Sequence, residues 1–136
     1  MLRNETIEKL KTMRLPGFVE ALEEQYESST FEEMSFEERL GLLVDREQNK
    51  RKTNRIHRLL RQAKFQNSEA CVENINYNVE RKLDKQVILE LASCQYIRHA
   101  SNVNIFGATG AGKSYLGQAL GQAACRLGIA TRYIQL

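Results

Sequence analysis

Eight consecutive residues, Gly107-Ala108-Thr109-Gly110-Ala111-Gly112-Lys113-Ser114, constrain this chain more than any other feature. They fit the pattern G-x-x-x-x-G-K-[ST], in which a glycine-rich turn wraps around phosphate groups. A nucleoside triphosphate carries several negative charges that must be held without interference from bulky side chains. Glycines at 107, 110 and 112 allow the backbone to turn tightly and to aim successive N–H groups at phosphate oxygens. Lys113 would then reach the β- and γ-phosphates, and the Ser114 hydroxyl would ligate Mg²⁺. All eight residues are therefore candidates for nucleotide binding, with Ser114 also the candidate metal ligand.

Such a loop works only between a strand and a helix, and the flanking residues suit both. Asn102-Val103-Asn104-Ile105-Phe106 is a short β-rich run that predicts a strand ending at Gly107. From Lys113 onward Leu116, Ala119, Leu120, Ala123, Ala124 and Leu127 recur at helical intervals, and Gly128 supplies a stop. Residues 129–136 read as a second strand.

The rest of the chain is organised by charge. Residues 1–40 hold ten acids and five bases, whereas residues 46–64 hold eight bases and one acid, Glu47. That asymmetry says more than the net charge of +3. No apolar run approaches the length of a membrane span, and the N-terminus lacks a signal-type apolar stretch. The expectation is a cytoplasmic protein with no membrane partner. Cys71, Cys94 and Cys125 are too scattered for a C-x-x-C pair and read as buried or half-buried free thiols.

Helical periodicity begins with Ile7, Leu10 and Met13 and is broken at Leu15-Pro16-Gly17. A second helix is expected from Gly17 to about Tyr26, with Phe18, Ala21, Leu22 and Tyr26 near one face. Two capping-box patterns follow, Thr30 with Glu33 and Ser35 with Glu38, and Ser35 is the better start for the next helix. No Gly or Pro interrupts residues 42–66, which predicts one long basic helix, polar between Asp45 and Arg55. Residues 64–78 carry linker signals. Helix is expected again from about Leu83 to His99, with Val87, Ile88, Leu91, Cys94 and Ile97 facing inward.

On the long helix, Arg51, Arg55 and Arg58 lie at i, i+4 and i+7, and Arg61 continues nearby. Such a row suits the phosphate backbone of duplex DNA, or contacts within an assembly. Phe65 is the only nearby ring, so stacking on single strands is the weaker reading. A solvated face, or a partner for the acidic residues 1–40 of another subunit, fits the same charges.

The run Lys11-Thr12-Met13-Arg14-Leu15-Pro16-Gly17-Phe18, followed by Ala21-Leu22-Glu23-Glu24-Gln25, resembles the start of the IstB-like ATP-binding proteins. Leu42-Leu43-Val44-Asp45-Arg46-Glu47, the arginine-rich helix, Leu91-Ala92-Ser93-Cys94, Tyr96-Ile97-Arg98 and residues 107–114 continue the likeness in the family's order. The resemblance covers essentially the whole chain. It implies an ATP- and Mg²⁺-binding helper of an insertion-sequence transposase, related to the helicase-loader branch of the AAA+ ATPases. It also implies a homo-oligomer that assembles on duplex DNA and delivers a target site to the transposase.

Three departures stand out. Ala108 occupies a position where the family usually has proline. Gly117 and Gly121 sit inside the helix after the loop, at a cost of about 1 kcal/mol each relative to alanine. The family also continues beyond the point reached by Leu136, through its Walker B acids, sensor and arginine finger. The chain is therefore expected to be a fragment that binds nucleotide without hydrolysing it alone, with apolar strand edges left open.

The expected fold class is an α-helical N-terminal domain followed by the start of an α/β P-loop NTPase domain of the AAA+ type. The expected division is a helical domain over 1–68, a linker over 69–82 and the incomplete ATPase domain over 83–136. Two alternatives share these residues: a replicative helicase loader-like ATPase, and a non-catalytic helical interaction module with a relic P-loop.

Overall fold

The computed structural model describes residues 2–78, 82–108 and 110–136. Contacts divide the chain into two compact units, Met1–Asn54 and Arg55–Leu136. The division falls inside the long helix.

The first unit contains α1 (Leu2–Thr12), α2 (Pro16–Glu27) and the first part of α3 (Phe36–Ala63). Pro16 sits in the first turn of α2, where its missing N–H costs nothing. The Ser35–Glu38 capping box forms: the Glu38 N–H donates to Ser35 Oγ at 3.2 Å, and the Ser35 N–H to Glu38 Oε2 at 3.4 Å. The Thr30–Glu33 pattern starts no helix; instead Ser28 accepts from the Thr30 N–H at the start of a short 3₁₀ turn, Ser29–Phe31. Val19, Ala21, Gln25, Leu43 and Glu47 are buried. Phe18, Leu22 and Tyr26, expected on the inner face of α2, are half-buried.

The tightest approach in this unit is at Gly17. A Cβ added there would stand 2.9 Å from the Arg46 carbonyl oxygen and 3.0 Å from Glu47 Cα. Only glycine lets the start of α2 lie against the backbone of α3. Glu47, 7% exposed, uses that proximity: its Oε1 accepts from the Gly17 N–H at 2.8 Å and the Phe18 N–H at 3.3 Å. Arg51 Nε donates to Glu47 Oε2 at 2.9 Å. Two further acids of α2 meet bases of α3, Glu24 with the two terminal guanidinium nitrogens of Arg46 and Glu20 with Lys50. Arg46 holds the Glu24 carboxyl below the usual carboxylate range.

The second unit contains the end of α3, a 3₁₀ turn at Val72–Asn74, α4 (Lys85–Ala92), α5 (Gln95–Arg98) and α6 (Lys113–Arg126). Its core joins Ala70, Val72 and Ile75 to Ile88, Ala119 and Leu120. A second cluster joins Leu59 and Ala63 of α3 to Cys125 of α6. Burying a side chain such as Ile88 or Leu120 contributes about 1.5–3 kcal/mol. Gly121 serves close packing, because a Cβ there would stand 2.7 Å from Phe65 Cε1. Gly117 has no such neighbour within 4 Å.

Two expectations are corrected here. The helix predicted from about Leu83 to His99 is interrupted at Cys94, whose backbone is left-handed (φ 62°). Cys94 and Ile88 are buried, but Val87 and Ile97 are 48% and 38% exposed rather than inward. The strands predicted at 102–106 and 129–136 are not formed among the described residues, whose regular structure in this region is helical. A strand exists only through a neighbour that completes its hydrogen bonds. Neither segment has one: the Tyr133 N–H donates to the Ala63 carbonyl at the end of α3, and Phe106 is 90% exposed.

Candidate nucleotide site

Residues 107–114 form a turn that closes onto the start of α6. The Ala111 N–H donates to the Ala108 carbonyl at 3.1 Å, and Gly110 and Gly112 take φ of +82° and +93°. Those two positions need glycine. At Gly107 an added Cβ would stand 3.5 Å from Lys113 side-chain carbons, an ordinary contact. Thr109 lies outside the described residues.

Gly112 is the N-cap of α6, no side chain caps it, and the first turn holds no acid. The N–H groups of that turn have no partner inside the helix, and the dipole makes the same place electropositive. Lys113 Nζ donates to the Gly107 carbonyl at 2.5 Å, so the lysine lies folded over its own loop. Beside them is a cavity of about 310 Å³, lined by Gly107, Gly110, Ala111, Gly112 and Lys113 on one side. Ile75, Leu83, Ile105, Phe106, Tyr115 and Leu116 form its apolar wall. A polar, cationic rim against an apolar wall is the chemistry that a phosphorylated nucleoside requires.

Ser114, exposed on the first turn of α6, is held by two neighbours that periodicity did not single out. Gln118 Nε2 lies 3.2 Å from Ser114 Oγ, and the Tyr133 hydroxyl lies 3.2 Å from the same oxygen. The i, i+4 spacing from Ser114 to Gln118 was a signal available in the sequence; Tyr133 offered none, being nineteen residues away.

The arginine row is partly committed to internal contacts. Arg51 binds Glu47 and reaches the Arg14 carbonyl at 3.4 Å, and Arg55 donates to the Gly128 carbonyl at 3.2 Å. Arg58 and Arg61 are exposed and have no partner among the described residues. Of the thiols, Cys94 and Cys125 are buried and Cys71 half-buried; burial pushes the first two upward in pKa.

Residues 8–136 match the family described as IstB-like ATP binding protein. The chain belongs to that family. Among its relatives is the "Insertion sequence IS1162 putative ATP-binding protein" of Pseudomonas fluorescens, 41% identical over 99% of this chain and 58% of the relative. The "Putative insertion sequence ATP-binding protein y4pL" of Sinorhizobium fredii is 38% identical over 93% of this chain and 51% of its own length. A Mycobacterium tuberculosis protein, Rv3427c, named as a "Putative ATP-binding protein … in insertion sequence", is 27% identical over 91% and 49%. This IstB-like chain thus spans about half the length of the curated relatives it matches. Among the described residues, no helix is long and apolar enough to cross a membrane.

Proposed function

We propose that this IstB-like chain binds ATP with Mg²⁺ at residues 107–114 and acts beside an insertion-sequence transposase on duplex DNA. The observation that carries the reading is the loop itself: a glycine turn with Lys113 folded over it, an uncapped helix start, and an adjoining apolar-walled cavity. The phosphates would take the N–H groups of the first turn of α6 and displace Lys113 from the Gly107 carbonyl. Ile75, Leu83, Tyr115 and Leu116 would face the nucleoside.

The donor set suits Mg²⁺, which is usually held through substrate phosphates and one or two protein oxygens. Ser114 Oγ is such an oxygen. When bound, the ion would neutralise phosphate charge and link the nucleotide to α6. Arg58 and Arg61 are the arginines of the row still available for DNA phosphates, while Arg51 and Arg55 help to hold the fold. In this reading residues 83–136 open an α/β ATPase domain of the AAA+ type, and the protein works in the cytoplasm as an oligomer. The names of the relatives support the insertion-sequence setting over the helicase-loader alternative.

The deciding experiment is ATP·Mg²⁺ binding by the 136-residue chain and by Lys113→Ala, with and without duplex DNA. Saturable binding that the substitution weakens supports the reading. No ATP binding by the parent chain, with duplex DNA still retained, would leave the helical interaction module as the better account.

A further inference from the structure

We infer that Gln118 and Tyr133 are positioning residues that preset Ser114 Oγ as a metal ligand; this rests on the nucleotide reading above. The starting observation is Gln118, a polar side chain only 3% exposed on the inner side of α6. Burying an amide is costly unless its hydrogen bonds are met, and those of Gln118 are. Its Oε1 accepts from the Asn67 N–H at 2.7 Å, and its Nε2 donates to Ser114 Oγ at 3.2 Å and to the Ser114 carbonyl at 3.3 Å. Asn67 fixes which end of the amide is the acceptor, so the NH₂ end must face Ser114.

Tyr133 completes the arrangement. Its hydroxyl lies 3.2 Å from Ser114 Oγ, its ring packs against Phe65 with centroids 6.4 Å apart, and its N–H is tied to the Ala63 carbonyl at 2.8 Å. A serine hydroxyl offers one proton and two lone pairs. Gln118 can only donate, so it takes one lone pair. With the Ser114 proton given to the Tyr133 oxygen, the second lone pair stays free for a cation. Were Tyr133 the donor instead, both lone pairs would be used. A cation at Oγ therefore selects the orientation in which Tyr133 accepts, while Gln118 already holds the other lone pair and fixes the position of the oxygen. Both holders are anchored to backbone at or just after the end of α3, at Ala63 and Asn67. Nothing about Gln118 or Tyr133 requires contact with the nucleotide.

The test measures ATP affinity in Mg²⁺ and in EDTA for the full chain and for Tyr133→Phe, Gln118→Glu, Ser114→Ala and the double variant Ser114→Ala/Tyr133→Phe. The readout is the ratio of the two affinities. Tyr133→Phe keeps the ring and removes one hydrogen bond, so the ratio should fall about fivefold. Gln118→Glu keeps the acceptor for Asn67 but loses the donor to Ser114, and the ratio should fall by at least as much. In the Ser114→Ala background Tyr133→Phe should have no further effect, because its influence passes through Oγ. An unchanged ratio in Tyr133→Phe, with the parent chain binding ATP more tightly in Mg²⁺, would overturn the inference and leave the nucleotide reading intact. An equal fall in both backgrounds would overturn it too, since that is the mark of a general packing role. No ATP binding by the parent chain would overturn both.

Discussion

Two helix starts in this molecule face the same physical problem and meet it in opposite ways. At α2 the chain fills the electropositive end itself: the buried Glu47 carboxylate accepts from the Gly17 and Phe18 N–H groups, and Arg51 neutralises it from behind. At α6 there is no side-chain cap and no acid in the first turn, and Lys113 adds positive charge. The first start is closed and structural; in the proposed reading the second is left for an anion brought from outside. Unpaired first-turn N–H groups are general to helices, so what sets the α6 start apart is that no side chain caps it.

Predictions follow from trying to exchange or exaggerate those roles. The largest effect is expected from Glu47→Ala, which uncaps α2 and leaves Arg51 without its carboxylate partner. Urea unfolding of the full chain should show a loss of about 3 kcal/mol, with ATP binding per folded molecule unchanged. Lys113→Ala should do the reverse, weakening ATP binding by about 2–3 kcal/mol while leaving the unfolding midpoint nearly in place.

Glycines sharpen the contrast further. Gly17→Ala forces a Cβ to 2.9 Å from the Arg46 carbonyl and should cost about 1–3 kcal/mol. Gly41→Ala and Gly117→Ala meet nothing within 4 Å on exposed helix positions and should each raise stability by about 0.5–1 kcal/mol. Calorimetry on the three variants would show whether close approach or helix propensity governs each site.

The smallest effect concerns pH. Glu24, beside Arg46, has its carboxyl held below the ordinary 4.5, and so has Glu73, bonded to its own backbone N–H and to Arg126. A lowered carboxyl pKa contributes stability that is present above the unfolded value and lost as pH falls through the folded one. Unfolding midpoints should therefore decline slightly below about pH 4.5, and Glu73→Gln should flatten part of that decline.

What could be read from the sequence was local. The break at Pro16, the Ser35–Glu38 box and the span of α6 depend on neighbours within four residues, and all three are found. The family could also be read, because its motifs are contiguous runs. The reason for two of those runs was not visible: Leu15-Pro16-Gly17 and Leu42-Leu43-Val44-Asp45-Arg46-Glu47 meet across thirty residues, where Gly17 rests on Arg46 and is capped by Glu47. Glu47 did stand out as the one acid in a basic stretch, a hint of internal pairing that charge counting alone passes over. The strands failed for the opposite reason, since β-rich composition promises a strand only where another backbone is present to pair with it.

The pairing of α3 also changes what a polyanion would meet there. Of the eight bases in residues 46–64, Arg46, Lys50 and Arg51 already face Glu24, Glu20 and Glu47. Neutralised in this way, they would displace few ions from a duplex. With Arg55 on the Gly128 carbonyl, four remain, Lys52, Arg58, Arg61 and Lys64, within thirteen residues at the end of α3 and just past it. If all four sat on phosphates, affinity for duplex DNA would fall with salt at a log–log slope of about −3.6, the release of between three and four counterions. The charge that the sequence spreads over nineteen residues would act as a short cationic block, its N-terminal end spent on holding α2 in place.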